Sequence, residues 1–253
     1  MAGASSRTLS VRRFGANGMP AILFIPGFAD DGSMFAPLAE TKLASLFRLI
    51  VPDLPGFGRT PPLKSSTTLQ ALASTVCDLV ESERAQIVVA HSLGSIIASL
   101  AARRCPHLIS TIISLEGNLT ADDAYYSGMA ADFDSATAFR RALLERLGEL
   151  ATEQPIIARY RSIVSKADVT AMWELGCDAR AFSATCVPGD VLREACKVCY
   201  LYNPANCPPM SLEWLQCHPI PKVRMDGATH WASVDHPHTT AQHILEALMR
   251  LGN

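Results

Sequence analysis

The stretch Gln86-Ile-Val-Val-Ala-His-Ser-Leu-Gly-Ser-Ile-Ile-Ala98 constrains the fold more than any other part of the chain. Residues 87–90 are an apolar, β-branched run of the length of a buried strand, and residues 93–104 repeat Leu, Ile and Ala at helical spacing. Only a sharp turn fits between them, and Ser92 stands on it. A serine on such a strand-to-helix turn has its hydroxyl pushed out above the sheet, beside the free backbone N–H groups that open the helix. That geometry is a nucleophile elbow. A strained turn leaves little space for side chains two positions before and after the serine, and those positions hold Ala90 and Gly94. The plainer reading is that the fold needs a small residue at position 92 for the turn alone.

Runs of the same kind recur along the chain. Residues 9–14 alternate weakly, as an edge strand does, while 21–25, 47–51, 108–115, 198–202 and 223–225 read as further strands. Helical spacing places helices over 34–44, 68–82, 212–217 and 239–251. Alternating strands and helices with buried strands predict an α/β fold, a mostly parallel central sheet with helices on both faces. From 118 to 195 the alternation disappears, and the segment reads as helices over 121–132, 137–151, 155–166, 169–175 and 189–195. The expected organisation is a core of residues 1–117 and 196–253, with 118–195 inserted as a single compact helical cap. Ligands bind at the carboxyl ends of such strands, so the cap should form much of the pocket.

A chain of 253 residues is long enough for one sizeable core. Its net charge of -2 offers no basic surface for nucleic acid or an anionic membrane, so a small, uncharged partner is expected. No stretch approaches the roughly 18 apolar residues of a membrane span, and the first twelve residues lack an apolar leader. The expectation is a cytoplasmic protein, monomer or homodimer. Without a leader, disulfides are disfavoured among the eight cysteines. Cys196, Cys199, Cys207 and Cys217 have a C-x2-C-x7-C-x9-C spacing that fits no usual zinc site, so buried free thiols and no metal are expected.

Ser92 needs a base within hydrogen-bond reach to lose its proton as it attacks. Of seven histidines, His91 adjoins Ser92 and points away from it in a strand-turn geometry, so it reads as structural. His230 closes a short strand running into a loop, Val223-Arg-Met-Asp-Gly-Ala-Thr-His230, and so ends at the same sheet edge as the elbow. His236, His238 and His243 lie in or before the last helix and read as solvated.

In order along nearly the whole chain, Pro26-Gly27-Phe28, Pro52-Asp-Leu-Pro-Gly-Phe-Gly58, Ala90-His-Ser-Leu-Gly94 and Gly227-Ala-Thr-His230 resemble the α/β-hydrolase superfamily. The resemblance implies Ser92 as nucleophile and His230 as general base. It also implies an oxyanion hole from the backbone N–H groups of Phe28 and Leu93, and no cofactor. The loop after residue 51 is similar to that of capped members such as the carbon–carbon bond hydrolases, though that loop is shared too widely to fix a substrate. In most of the family the acid follows the strand after the cap. Here that loop is Asn203-Pro-Ala-Asn-Cys-Pro-Pro209, which has no carboxylate. Glu116 ends the strand after the elbow helix, a position from which some members, including certain haloalkane dehalogenases, take their acid. The expected triad is therefore Ser92, Glu116 and His230. The competing reading makes Glu116 a tether of the cap, with Asp226 and Asp235 as other carboxylates near His230.

The expected reaction is hydrolysis of a small, fairly apolar ester, thioester or activated carbon–carbon bond. The same scaffold also hosts lyases and cofactor-free oxygenases that use the His and acid as a proton relay, and non-catalytic ligand receptors. Trp231, Tyr125, Tyr126, Met129 and Trp173 are candidate pocket walls, with Phe28 and Phe133 beside them, although aromatics at helical spacing serve ordinary packing equally well. Arg159 and Arg161 are the cations that could hold an anionic substrate, with no other feature favouring them.

Overall fold

This computed structural model describes residues 9–252; residues 1–8, which the sequence assigns to the core, and Asn253 lie outside the described residues. The strands are β1 (Val11–Phe14), β2 (Ala21–Ile25), β3 (Arg48–Pro52), β4 (Ile87–His91), β5 (Thr111–Leu115), β6 (Lys197–Tyr202) and β7 (Lys222–Arg224). They form one sheet in the order β1-β3-β2-β4-β5-β6-β7, parallel except where β1 runs antiparallel to β3 at the edge. Every residue of β2 and β5 is buried, as continuous apolar runs covered on both faces must be. Each fully buried aliphatic side chain contributes about 1.5–3 kcal/mol relative to leaving it in water.

Among the described residues, six α-helices lie before and after the long segment between β5 and β6: α1 (Lys42–Leu46), α2 (Leu69–Glu83) and α3 (Gly94–Arg104), then α8 (Pro209–Cys217) and the final pair. The insertion carries α4 (Ala136–Leu150), α5 (Pro155–Val164), α6 (Val169–Thr185) and α7 (Pro188–Arg193), and the chain ends with α9 (Ala232–Asp235) and α10 (Pro237–Arg250). α3 is buried from Gly94 to Ala102, and its Gly, Ser and Ala residues let α2 and the sheet approach closely.

Several elements depart from the expected bounds. The helix expected over 34–44 is a 3-10 helix, Gly32–Glu40, followed by α1; Pro37 lies inside the first and Thr41 caps the second. The helix expected over 121–132 is two short 3-10 helices, Ala121–Ala124 and Ser127–Asp132, and the break between them holds Tyr125 and Tyr126. α6 runs past Leu175 to Thr185, because Gly176 is buried against the insertion and does not stop it. The expectation of free thiols fails at two positions. Cys77 in α2 and Cys105 at the end of α3 form a disulfide, their Cα atoms brought to 6.4 Å by the packing of the two helices. No helix among the described residues is long and apolar enough to cross a membrane.

Candidate active site

Three neighbouring strands, β2, β4 and β5, run at their carboxyl ends into residues with left-handed backbone: Ala29 (φ 53°), Ser92 (φ 51°) and Glu116 (φ 47°). Non-glycine residues pay roughly 1–3 kcal/mol for such a conformation, and it persists where the surroundings fix it. The ladder sets the register. His91 pairs with Leu115 and Leu115 with Leu201, so Ser92 and Glu116 sit side by side, one residue past the pairing. The backbone N–H of Ser92 still donates to Leu115 O at 3.1 Å, and that of Glu116 to Leu201 O at 2.8 Å. Gly27 and Gly94 are the close approaches. A Cβ on Gly27 would lie 2.7 Å from His91 Nδ1 and 3.1 Å from Ser92 Cβ, and one on Gly94 would lie 2.6 Å from Pro26 O.

His230, in the loop after β7, donates Nδ1–H to Glu116 Oε2 at 2.8 Å. This fixes the tautomer and leaves Nε2 as the basic nitrogen. Glu116 is only 6% exposed and is saturated: Asn203 N donates to Oε1 at 2.8 Å, and Asn206 Nδ2 reaches Oε1 at 2.9 Å and Oε2 at 3.2 Å. Both asparagine amides also donate to Ala228 O, two residues before His230. The loop without a carboxylate therefore clamps the carboxylate supplied by its neighbour. Asp226 pairs with Arg224 at the surface and Asp235 accepts from Thr229 N, so neither is the partner of His230.

His91 donates from Nε2 to the backbone carbonyl of His230 at 2.8 Å, and the two rings lie 4.5 Å apart. Burial, then the charge of His230, holds its pKa well below the ordinary histidine value. It is thus a neutral strut behind His230, and it also lines the cavity at Ser92.

Ser92 and His230 share the walls of two small voids, of about 20 and 10 Å³. The first has room for about one water molecule. No hydrogen bond joins Ser92 Oγ to His230 among the described residues, and contacts of this kind commonly tighten only around bound substrate. The N–H groups of Phe28 and Leu93 likewise donate to no other group of the chain among the described residues, so both remain available to an oxygen at Ser92. An outer void of about 220 Å³ adjoins the inner one across Tyr125, Tyr126, His230 and Trp231.

A model of the alpha/beta hydrolase family matches residues 22–243. The chain belongs to the alpha/beta hydrolase family. It is 34% identical to a pimeloyl-[acyl-carrier protein] methyl ester esterase of Sodalis glossinidius over 74 residues, which are 29% of this chain and 28% of that one. The chain spans only 22% to 40% of the length of the curated relatives BioHC of Cellvibrio japonicus and a Saccharomyces cerevisiae hydrolase, among those it matches. The fold extends further than the sequence likeness. A thermophilic esterase from Thermogutta terrifontis superposes with a TM-score of 0.73 at 19% identity, covering 97% of this chain and 94% of that one. An enol-lactonase from Burkholderia xenovorans gives 0.71 at 18%, covering 95% and 96%.

Within this alpha/beta hydrolase, Trp231, Tyr125 and Tyr126 stand at the cavity wall with Phe28. Met129 and Trp173 do not line the voids at Ser92 and depart from expectation. The indole N–H of Trp173 finds Ala130 O at 3.1 Å and Phe133 O at 3.2 Å inside the insertion, while Met129 Sδ accepts from Arg146 Nη1 at 3.3 Å. Neither candidate cation lines the voids at Ser92. Arg159 forms a bidentate pair with buried Asp30, at 2.9 and 3.0 Å, and Arg161 bonds to Leu144 O. Asp30 also accepts from Trp231 Nε1 at 3.1 Å; its pKa is raised by burial, which the Arg159 charge opposes. Tyr160 on α5 donates to Phe28 O at 2.8 Å and stacks near Trp231. Asp30, Tyr160 and Asp123 were not singled out from the sequence. Only Asp30 had a local signal, its place right after Pro26-Gly27-Phe28.

Proposed function

We propose that this protein is a serine hydrolase that cleaves a small ester, thioester or activated carbon–carbon bond through an acyl-enzyme on Ser92. The observation that carries the reading is the Glu116–His230 hydrogen bond at 2.8 Å, on a ring that shares both voids with Ser92. In this reading Ser92 Oγ attacks the carbonyl carbon as His230 Nε2 takes its proton. The oxyanion accepts from Phe28 N–H and Leu93 N–H, and Glu116 stabilises the imidazolium. The imidazolium returns the proton to the leaving group as the bond breaks. Water, deprotonated by His230, then releases the acid and restores Ser92. The esterase relative and the esterase and enol-lactonase folds support ester chemistry. Asn203 and Asn206, in the loop without a carboxylate, donate to Glu116.

A fluorophosphonate probe followed by intact-mass measurement tests it. One adduct in the wild type that is lost in Ser92→Ala is expected, with burst kinetics on an activated ester. No adduct would move the protein to the proton-relay or receptor classes.

A further inference from the structure

Asp123, at the start of the insertion, lines both voids beside Ser92 and His230. Its two oxygens are used unequally. Oδ2 accepts from Leu119 N and Thr120 N at 2.8 Å, from Ser211 Oγ at 2.6 Å and from Thr120 Oγ1 at 3.4 Å. These bonds fasten the first turn of the insertion to α8 and need no help from the other oxygen. Oδ1 has no hydrogen bond among the described residues, and it is not one of the sealed, unpartnered atoms. It is the unbonded oxygen of a side chain that lines both voids.

The charges around it point the same way. Of the carboxylates at the two voids, Asp30 is paired with the Arg159 guanidinium, and Glu116 is held by a hydrogen bond from His230. Asp123 has no ion pair among the described residues, and no Lys or Arg lines either void. Burial pushes the Asp123 pKa up, while bonds from Ser211, Thr120 and Leu119 favour the charged form. A substrate carboxylate would enter a small chamber opposite a carboxylate with no ion-pair partner, with no Lys or Arg to receive it. A hydroxyl or ammonium would instead supply the one donor that Oδ1 lacks.

We propose that Asp123 is a specificity-determining residue whose Oδ1 accepts a hydrogen bond from the substrate. The site thereby selects small neutral or cationic substrates bearing a hydroxyl or ammonium group and rejects those bearing a carboxylate. This rests on the serine hydrolase reading and adds the substrate class to it.

The test compares kcat/KM for methyl butanoate, methyl 3-hydroxybutanoate, 2-hydroxyethyl butanoate, methyl 3-aminobutanoate and monomethyl succinate. One of the donor-bearing esters should exceed methyl butanoate by about tenfold or more, as a hydrogen bond to a charged acceptor allows, and monomethyl succinate should fall below it by a similar factor. In Asp123→Asn both ratios should shrink to within about threefold. Ser211→Ala removes a bond to Oδ2 and leaves Oδ1 alone, so it should lower thermal stability and keep the wild-type ratios. Wild-type preference for the succinate, or equal rates for all five esters, overturns the proposal without any variant. Unchanged ratios in a folded Asp123→Asn overturn it too, with the hydrolase reading intact. Failure of every ester together with no fluorophosphonate adduct at Ser92 removes the hydrolase reading itself, and the proposal with it.

Discussion

The loops after β5 and β6 divide one task between them in an unusual way. The loop after β6, where the resemblance to the α/β-hydrolase superfamily leads one to expect the acid, holds Asn203 and Asn206; the loop after β5 holds Glu116. Both approach the same histidine, but one contributes charge and the other contributes donors. Glu116 bears left-handed backbone, at a cost of about 1–3 kcal/mol. Its carboxylate receives Asn203 N, Asn206 Nδ2 and His230 Nδ1, and hydrogen bonds to a charged group contribute about 1.5–3 kcal/mol each, so together they outweigh that strain. In the proposed mechanism the histidine requires a carboxylate at Nδ1, whichever strand delivers it.

The largest effect should follow from removing the charge. Glu116→Gln keeps the shape and some of the hydrogen bonds, yet it should lower kcat on an activated ester by about 10³–10⁴-fold, with the far-ultraviolet circular dichroism unchanged. Near-normal turnover would reduce Glu116 to a tether of the insertion and end the comparison. A second variant asks whether the task can be handed back. Asn206 lines two voids with His230, so Glu116→Gln combined with Asn206→Asp should recover at least about tenfold of the lost kcat. No recovery would mean that the β6 loop can position a carboxylate but cannot replace it. Asn206→Ala alone should be milder, about three- to tenfold in kcat with KM unchanged, because Asn203 N and His230 still hold Glu116. An increase in KM of the same size would place Asn206 on the substrate instead.

The difference between the two loops also shows what could be read from the chain alone. The parallel core was legible because buried strands are continuous apolar runs, and β2, β4 and β5 are such runs. The elbow was legible because its constraint is local: a small residue on each side of a serine between a strand and a helix. Glu116 could be placed by its position at a strand end. The clamp from Asn203 and Asn206 could not, because it depends on the register of β5 against β6, and register is a property of the folded sheet. The same limit hid Asp123, whose neighbours Ser211 and Tyr200 come from parts of the chain far away in sequence. Met129 and Trp173 were candidates for the pocket or for ordinary packing, because helical periodicity does not tell which face meets the cavity and which meets another helix.

His91 allows charge and position to be separated at the smallest scale. Its Nε2–H holds the carbonyl of His230, while its buried Nδ1 has no partner, so a second proton would be expensive there. Burial and then the charge of His230 depress its pKa well below 6.5 in the folded protein. Below about pH 6.5 the unfolded chain takes up a proton that the folded one refuses. Folding stability from this group is therefore intact above that pH and is lost as pH falls from about 6.5 toward the folded pKa, by at most about 1.4 kcal/mol per pH unit. His91→Gln keeps an amide donor for the His230 carbonyl and removes the titration, so its stability should decline less than that of the wild type between pH 6.5 and 5.5. Urea midpoints at pH 7.5, 6.5 and 5.5 measure the difference, with kcat at pH 7.5 expected to change by less than about threefold. Equal slopes in the two proteins would mean that folded His91 takes its proton as readily as the unfolded chain, and that it does not serve as a neutral strut.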